Sequence, residues 1–122
     1  MIEYKNDKAR ETYPNIKEAL KDAVYWCSQW AEKRKLPFVI TRAIDDRIPN
    51  VSVSDTHIEG RAVDISVKGW TTDLIDDFIA DANKEFAEKI GAYSLTDGKP
   101  RFVIFHVGVG PHFHAQIRRG LA

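Results

Sequence analysis

Apolar residues recur every three or four positions between Asn15 and Lys33, the spacing that places side chains on one face of an amphipathic α-helix. The residues of this stripe are Ile16, Leu20, Ala23, Cys27, Trp30 and Ala31. Pro14 near its start, and Asn15 followed three residues later by Glu18, are typical of a helix N-terminus. Because proline does not continue a helix, we expect the first helix to end before Pro37.

The same spacing returns from about Thr72 to Ile90 and predicts a second amphipathic helix. Its stripe is formed by Leu74, Ile75, Phe78, Ile79, Ala82, Phe86 and Ile90. Gly91 follows directly, and glycine is common just after the last residue of a helix. We expect both helices to pack on one sheet.

Four short segments have the composition or the alternation of β-strands, namely Phe38 to Thr41, Arg61 to Val67, Arg101 to His106 and His112 to Ile117. The last two are separated by a turn rich in glycine and proline, which predicts antiparallel neighbours. Alternation in the second segment places Asp64 on the face away from the core. Residues 43–56 are polar and predict a long loop. The predicted fold class is α+β, with two helices packed on a mostly antiparallel sheet in a single domain, residues 1–122.

Composition excludes several classes of function. Lys and Arg (18) balance Asp and Glu (18), so no overall charge attracts the chain to nucleic acid or to an anionic membrane. Cys27 is the single cysteine and lies in the apolar stripe, which predicts a buried structural thiol. The first eight residues lack the apolar segment of a signal peptide, and no segment is long enough to insert into a membrane. We expect a monomer that is made in the cytoplasm.

All four histidines lie in two short segments, and the first of these also contains Asp64. This combination favours a divalent zinc ion. His112 and His114 are two residues apart on a predicted strand, so both side chains project from one face and one of them can bind metal while the other stands beside it. Gly60 tolerates the backbone angles of a tight turn that would bring His57 over Asp64.

Each of these residues also has an ordinary structural interpretation. His57, or a histidine pair on a strand, is by itself a weak indication of metal binding. Asp64 could instead pair with Arg61, Arg42 or Arg47. His106 could be a plain strand residue, or it could support a ligand or contact a substrate. It is the combination of the two segments that favours a metal site.

The segment from His57 to Asp64, followed about fifty residues later by His112-Phe113-His114, resembles the two motifs of the zinc D-alanyl-D-alanine carboxypeptidase family. This family includes phage and bacterial peptidoglycan endopeptidases and is related to the hedgehog signalling domain. The resemblance implies a hedgehog-like or peptidase-like fold, a bound Zn²⁺ and hydrolysis of peptidoglycan stem peptides as an endopeptidase or carboxypeptidase. Together with the missing signal peptide, it predicts a phage or prophage lysis protein that acts on the cell wall after release or as a virion component.

Carried over position by position, the resemblance implies that His57, Asp64 and His114 are the zinc ligands and that His112 is the catalytic histidine. The arginine that polarises the substrate carbonyl would be Arg42 or, as the second choice, Arg47. Many members carry a carboxylate three or four residues before the last ligand, but in this chain the positions before His112 and His114 are Gly108, Val109, Gly110 and Pro111. A serine commonly precedes the first histidine by two residues, where this chain has Asp55. The alternative function is a hedgehog-like binding module that holds zinc without turnover.

Overall fold

The computed structural model describes residues 1–44, 57, 59–107 and 110–121. These residues form an α+β fold with three α-helices, a five-stranded sheet and a two-stranded sheet. The elements in chain order are β1 (Glu3–Tyr4), α1 (Asp7–Thr12), a 3-10 turn (Tyr13–Asn15), α2 (Glu18–Lys33), β2 (Val39–Arg42), β3 (Ala62–Ser66), α3 (Thr72–Ile90), β4 (Ala92–Tyr93), β5 (Pro100–Arg101), β6 (Val103–His106) and β7 (His112–Gln116).

The large sheet has the strand order β1-β2-β3-β7-β6, and only the β1–β2 pair is parallel. The predicted antiparallel pairing of the last two strands is therefore confirmed. β3 and β7 occupy the middle of the sheet, where Asp64 lies opposite His114. None of the helices in the described ranges is long and apolar enough to cross a membrane.

Aromatic side chains fill the space between the helices and one face of the sheet. Phe78 of α3 packs against Phe113 of β7, with 4.8 Å between ring centroids, and against Trp30 of α2 at 5.2 Å. Because neighbouring residues of a strand point to opposite faces, His112 and His114 project from the face that the helices leave uncovered. The core thus fixes the strand that carries two of the predicted site residues.

Helix α3 has the bounds that the sequence predicts. The Thr71 side chain accepts a hydrogen bond from the Leu74 amide and caps its first turn. At the other end, a Cβ on Gly91 would lie 2.6 Å from the carbonyl oxygen of Ala87 and 2.8 Å from the backbone of Arg101. Only glycine fits there without displacing the backbone of α3 or of β5.

Helix α2 begins three residues later than predicted. Pro14 and Asn15 belong to the 3-10 turn, and Lys17 precedes the helix without a side-chain capping bond. The predicted capping by Asn15 and Glu18 is wrong. The helix ends at Lys33, and Lys35 turns the chain with a φ of 58° before Pro37 is reached.

The prediction of two helices is also wrong, since α1 precedes them. The side-chain oxygen of Asn6 caps its first turn by accepting from the Ala9 amide at 2.9 Å. Ala9 is its single buried residue. A helix of six residues with one buried position carries no periodic signal, so the pattern of apolar residues could not reveal it.

The predicted strand from Arg101 to His106 is divided at Phe102 into β5 and β6. The Asn83 side-chain oxygen of α3 accepts hydrogen bonds from the amides of Phe102 and Val103, at 2.6 and 3.0 Å. These bonds tie the chain to the helix at the point where the strand breaks. Of the loop predicted over residues 43–56, positions 45–56 lie outside the described residues.

Candidate metal centre

Three predicted ligands converge beside the central strand pair. Asp64 of β3 and His114 of β7 are register partners, and a turn brings His57 to the same place. In that turn Gly60 has a φ of +73° and donates its amide to the His57 carbonyl at 3.3 Å, as the sequence predicts. All three side chains are buried, with 3%, 7% and 8% of His57, Asp64 and His114 exposed.

The candidate ligand atoms of these residues lie within 4.8 Å of one another. Asp64 Oδ1 is 2.9 Å from His114 Nδ1 and 3.3 Å from His57 Nε2. Ligand atoms around a tetrahedral zinc ion are separated by about 3.3 Å, given bonds of about 2.0 to 2.1 Å. The group is therefore compact enough to hold a metal ion after small adjustments.

The outer nitrogens of both histidines already have acceptors. His57 Nδ1 lies 2.9 Å from the Ala43 carbonyl oxygen, and His114 Nε2 lies 2.8 Å from Gln116 Oε1. A neutral imidazole has only one N–H, so donation outward leaves a lone pair on each inner nitrogen. Those two lone pairs then face a carboxylate oxygen of Asp64. Such a convergence requires a cation between the atoms, either a proton or a metal ion, and the donor set fits a metal.

The charges of the group are coupled. Burial would raise the pKa of Asp64, but hydrogen bonds from His114 and His57, which form when a proton rather than a metal ion lies between the atoms, hold it well below its usual value. Burial favours the neutral form of His114, whereas its bonds to Asp64 and Gln116 outweigh burial and raise its pKa. The carboxylate is therefore ionised near neutral pH, as a metal ligand must be.

His112 and Arg42 lie on the other oxygen of the same carboxylate. Asp64 Oδ2 is 3.8 Å from His112 Nε2 and 3.9 Å from Arg42 Nε. His112 Nδ1 donates to the Gly110 carbonyl oxygen at 2.9 Å, which leaves Nε2 as the acceptor facing the site. The two predicted catalytic residues thus lie beside the three predicted ligands.

The sequence offers Arg42, Arg47 and Arg61 as partners of Asp64. In the structure the Arg42 side chain lies near the Asp64 carboxylate. Arg61 turns away, because its guanidinium donates to Glu59 and to the Ile117 carbonyl oxygen at 3.1 and 2.9 Å. Arg47 lies outside the described residues.

His106 is in contact with both histidines of β7. Its ring stacks on His114 with an interplanar angle of 6° and a centroid distance of 5.3 Å, and it meets the edge of His112 at 5.2 Å. Burial and the neighbouring histidines lower the pKa of His106. The contact with His114 favours the interpretation in which His106 supports a ligand.

A groove of about 420 Å³ reaches the site from the side of the β4–β5 hairpin. Its lining includes His114 and Gln116, and also Tyr93 and an ion pair between Asp97 and Arg101, 2.6 Å apart. The groove therefore meets the group at His114, on the side of the ring where Gln116 lies.

Sequence reasoning missed Gln116 and the carbonyl groups of Ala43 and Gly110. Gln116 could have been found, since it follows His114 by two positions on a predicted strand and must share its face. The carbonyl contacts depend on how distant loops meet, and no residue type marks them.

No protein-family model matches this chain, and no curated protein or solved structure matches it significantly. The likeness to zinc peptidases therefore depends on the motif residues themselves.

Proposed function

We propose that this protein is a zinc-dependent peptidase that hydrolyses peptide bonds in peptidoglycan stem peptides. The observation that supports this most strongly is the convergence of His57, Asp64 and His114, with His112 and Arg42 on the second oxygen of the same carboxylate. The order and spacing of these residues resemble the peptidase motifs described above.

Two imidazole nitrogens and one carboxylate oxygen form a typical ligand set of a catalytic zinc ion. His57 Nε2, Asp64 Oδ1 and His114 Nδ1 would hold it. When bound, zinc supplies a Lewis acid that activates water and polarises a carbonyl group.

His112 would move the proton. Its Nε2 faces the site as an acceptor because Nδ1 donates to the Gly110 carbonyl oxygen. It would take a proton from the attacking water and pass it to the leaving amine. Proton transfer by a positioned imidazole contributes about 10² to 10⁴ in rate.

Arg42 would stabilise negative charge that develops on the scissile carbonyl oxygen. Its Nε is 3.9 Å from Asp64 Oδ2, and 41% of its side chain is exposed, so the guanidinium borders both the ligands and solvent. A fixed cation beside a developing oxyanion lowers the barrier of acyl transfer.

The substrate would approach the site through the groove whose lining includes His114 and Gln116. Its volume, about 420 Å³, is sufficient for a few residues of an extended peptide. Stem peptides of peptidoglycan, which contain D-amino acids, are the substrate class of the family that the motifs resemble.

The test is digestion of purified cell-wall sacculi, with released amines quantified and the products identified by mass spectrometry. We expect release that a chelator abolishes and zinc restores, and we expect His114→Ala to lose both zinc and activity. Tyr25→Ala is the control, since Tyr25 is exposed on α2. Intact zinc content and intact activity in His114→Ala would defeat the ligand assignment.

A binding module that holds zinc without turnover is the second candidate. It is favoured by the absence of a carboxylate at positions 108–111, where many of the peptidases carry one. Tight zinc binding without release of amines from any sacculus preparation would support it over the peptidase.

A further inference from the structure

We propose that Gln116 is a positioning residue of the metal centre: its side-chain oxygen accepts the Nε2 proton of His114 and so directs Nδ1 of that ring toward the metal. This role depends on the metal site of the proposed function but not on peptidase activity. The proposal rests on the contact between His114 Nε2 and Gln116 Oε1, which lie 2.8 Å apart.

The strand geometry fixes this contact. Gln116 and His114 are two residues apart on β7, so both side chains project from the same face. The Gln116 amide donates to the Phe102 carbonyl oxygen at 2.8 Å, and the residue pairs with Ala62 of β3. Backbone bonds on both sides therefore hold the Gln116 side chain beneath the imidazole.

The orientation of His114 matters because its ring could present either nitrogen. A free imidazole has two tautomers of similar energy, and only the one protonated at Nε2 has a lone pair on Nδ1. The acceptor at Gln116 selects that tautomer, while the stacked ring of His106 restricts the ring plane. Partners of this kind typically change metal affinity by about 10- to 100-fold when they are removed.

His57 is positioned by different means. Its Nδ1 faces the Ala43 carbonyl oxygen at 2.9 Å, so the opposite tautomer is selected and Nε2 is presented. A backbone acceptor is not removed by substitution. Gln116 is therefore the position where this support can be tested by a side-chain change.

The test compares zinc dissociation constants, measured by competition with a chromogenic chelator, for the wild type and three variants. Gln116→Leu keeps the approximate volume and removes the acceptor, and we expect zinc to bind about 10- to 100-fold more weakly. Gln116→Glu keeps an acceptor and should bind zinc at least as tightly as the wild type. Gln29→Leu makes the same change on α2, away from the site, and should leave the constant unchanged.

Thermal unfolding of the metal-free variants separates positioning from folding. We expect similar melting temperatures for metal-free Gln116→Leu and Gln116→Glu, despite their different zinc affinities. Two-bond ¹H–¹⁵N correlations of the zinc-loaded wild type should show the His114 proton on Nε2 and the His57 proton on Nδ1.

Equal zinc affinity in Gln116→Leu and the wild type would overturn the role of Gln116 while leaving the metal site intact. A His114 proton on Nδ1 in the zinc-loaded protein would overturn it as well. A wild-type protein that binds no zinc would instead remove the metal centre, and the role of Gln116 with it.

Discussion

Asp64 contacts the other members of the site through both of its carboxylate oxygens. His57 and His114 face Oδ1 at 3.3 and 2.9 Å, whereas His112 and Arg42 lie 3.8 and 3.9 Å from Oδ2. One oxygen thus faces the two histidines that would hold the metal with it, and the other faces the residues that would act on the substrate. This division predicts that metal binding and turnover can be separated by substitution.

His112→Ala should retain zinc and lose turnover. Its ring lies on the Oδ2 side and is not needed to complete the ligand set, so zinc content should stay near one ion per chain. Loss of the proton acceptor should lower kcat by about 10² to 10⁴. Zinc content is measured by atomic emission and kcat on a purified muropeptide, with Tyr25→Ala as the control. Loss of zinc in His112→Ala would place this histidine among the ligands instead.

Cys27 should be unreactive in the folded protein. Its side chain is fully buried, and burial raises the pKa of the thiol well above its usual value. The folded chain therefore keeps a proton that the unfolded chain loses as the pH rises through its ordinary thiol pKa, so stability should fall above about pH 9.

Two measurements check the state of Cys27. A chromogenic disulfide should label it at pH 8 only after denaturant is added. The loss of unfolding free energy between pH 8 and pH 10 should be smaller in Cys27→Ala than in the wild type. Rapid labelling of the native protein would show that the thiol is accessible and contradict the assignment.

At the scale of single residues, residue type and spacing predicted the buried thiol and the convergence of His57, Asp64 and His114. They did not predict Gln116, because its role depends on a contact within a strand whose register was still unknown. They also placed Asp64 away from the core without indicating that the histidines bury it there.

Among the elements, α3 holds the edge of the sheet through Asn83. Its side-chain oxygen accepts from the amides of Phe102 and Val103, and its Nδ2 donates to the Val103 carbonyl oxygen at 2.8 Å. These bonds fix the start of β6, which carries His106 at its other end.

Asn83→Ala should lower the free energy of unfolding by at least about 2 kcal/mol, because three backbone groups in a partly buried position lose their partner. Asn83→Asp keeps the acceptor and loses the donor, so its loss should be smaller. Lys84→Ala, at an exposed neighbouring position, should change stability by less than about 0.5 kcal/mol. Urea unfolding measures all three, and an Asn83→Ala variant as stable as the wild type would refute this role.

Elements with a strong apolar period were predicted well, and those set by local polar contacts were not. Helix α3 shows both a continuous stripe and a capping threonine, and its bounds agree with the prediction. The start of α2 was predicted wrongly because Pro14 and Asn15 enter a 3-10 turn. The strand break at Phe102 results from Asn83, which lies 19 residues earlier in the chain.

For the molecule as a whole, the sheet separates structural from chemical residues. Its helix-covered face carries the aromatic core, and the opposite face carries the histidines. This division underlies the α+β class, which the sequence predicted. It does not account for helix α1 or for the small second sheet, which the sequence did not predict.

Zinc should stabilise the entire fold, because its ligands come from β3, β7 and the turn at His57. At a free zinc concentration 100 times the dissociation constant, binding adds about 2.7 kcal/mol. For a domain of this size that corresponds to a rise in Tm of about 10 °C, reversed by a chelator. Calorimetry of the wild type and His114→Ala checks this, and an equal rise in both would mean that zinc acts elsewhere.

Anomalous X-ray diffraction at the zinc absorption edge, from crystals grown with zinc, tests the central claim most directly. The account predicts one anomalous peak about 2.0 to 2.2 Å from His57 Nε2, Asp64 Oδ1 and His114 Nδ1. Crystals grown with zinc that show no peak among these three atoms, or a peak beyond bonding distance of one of them, would contradict it.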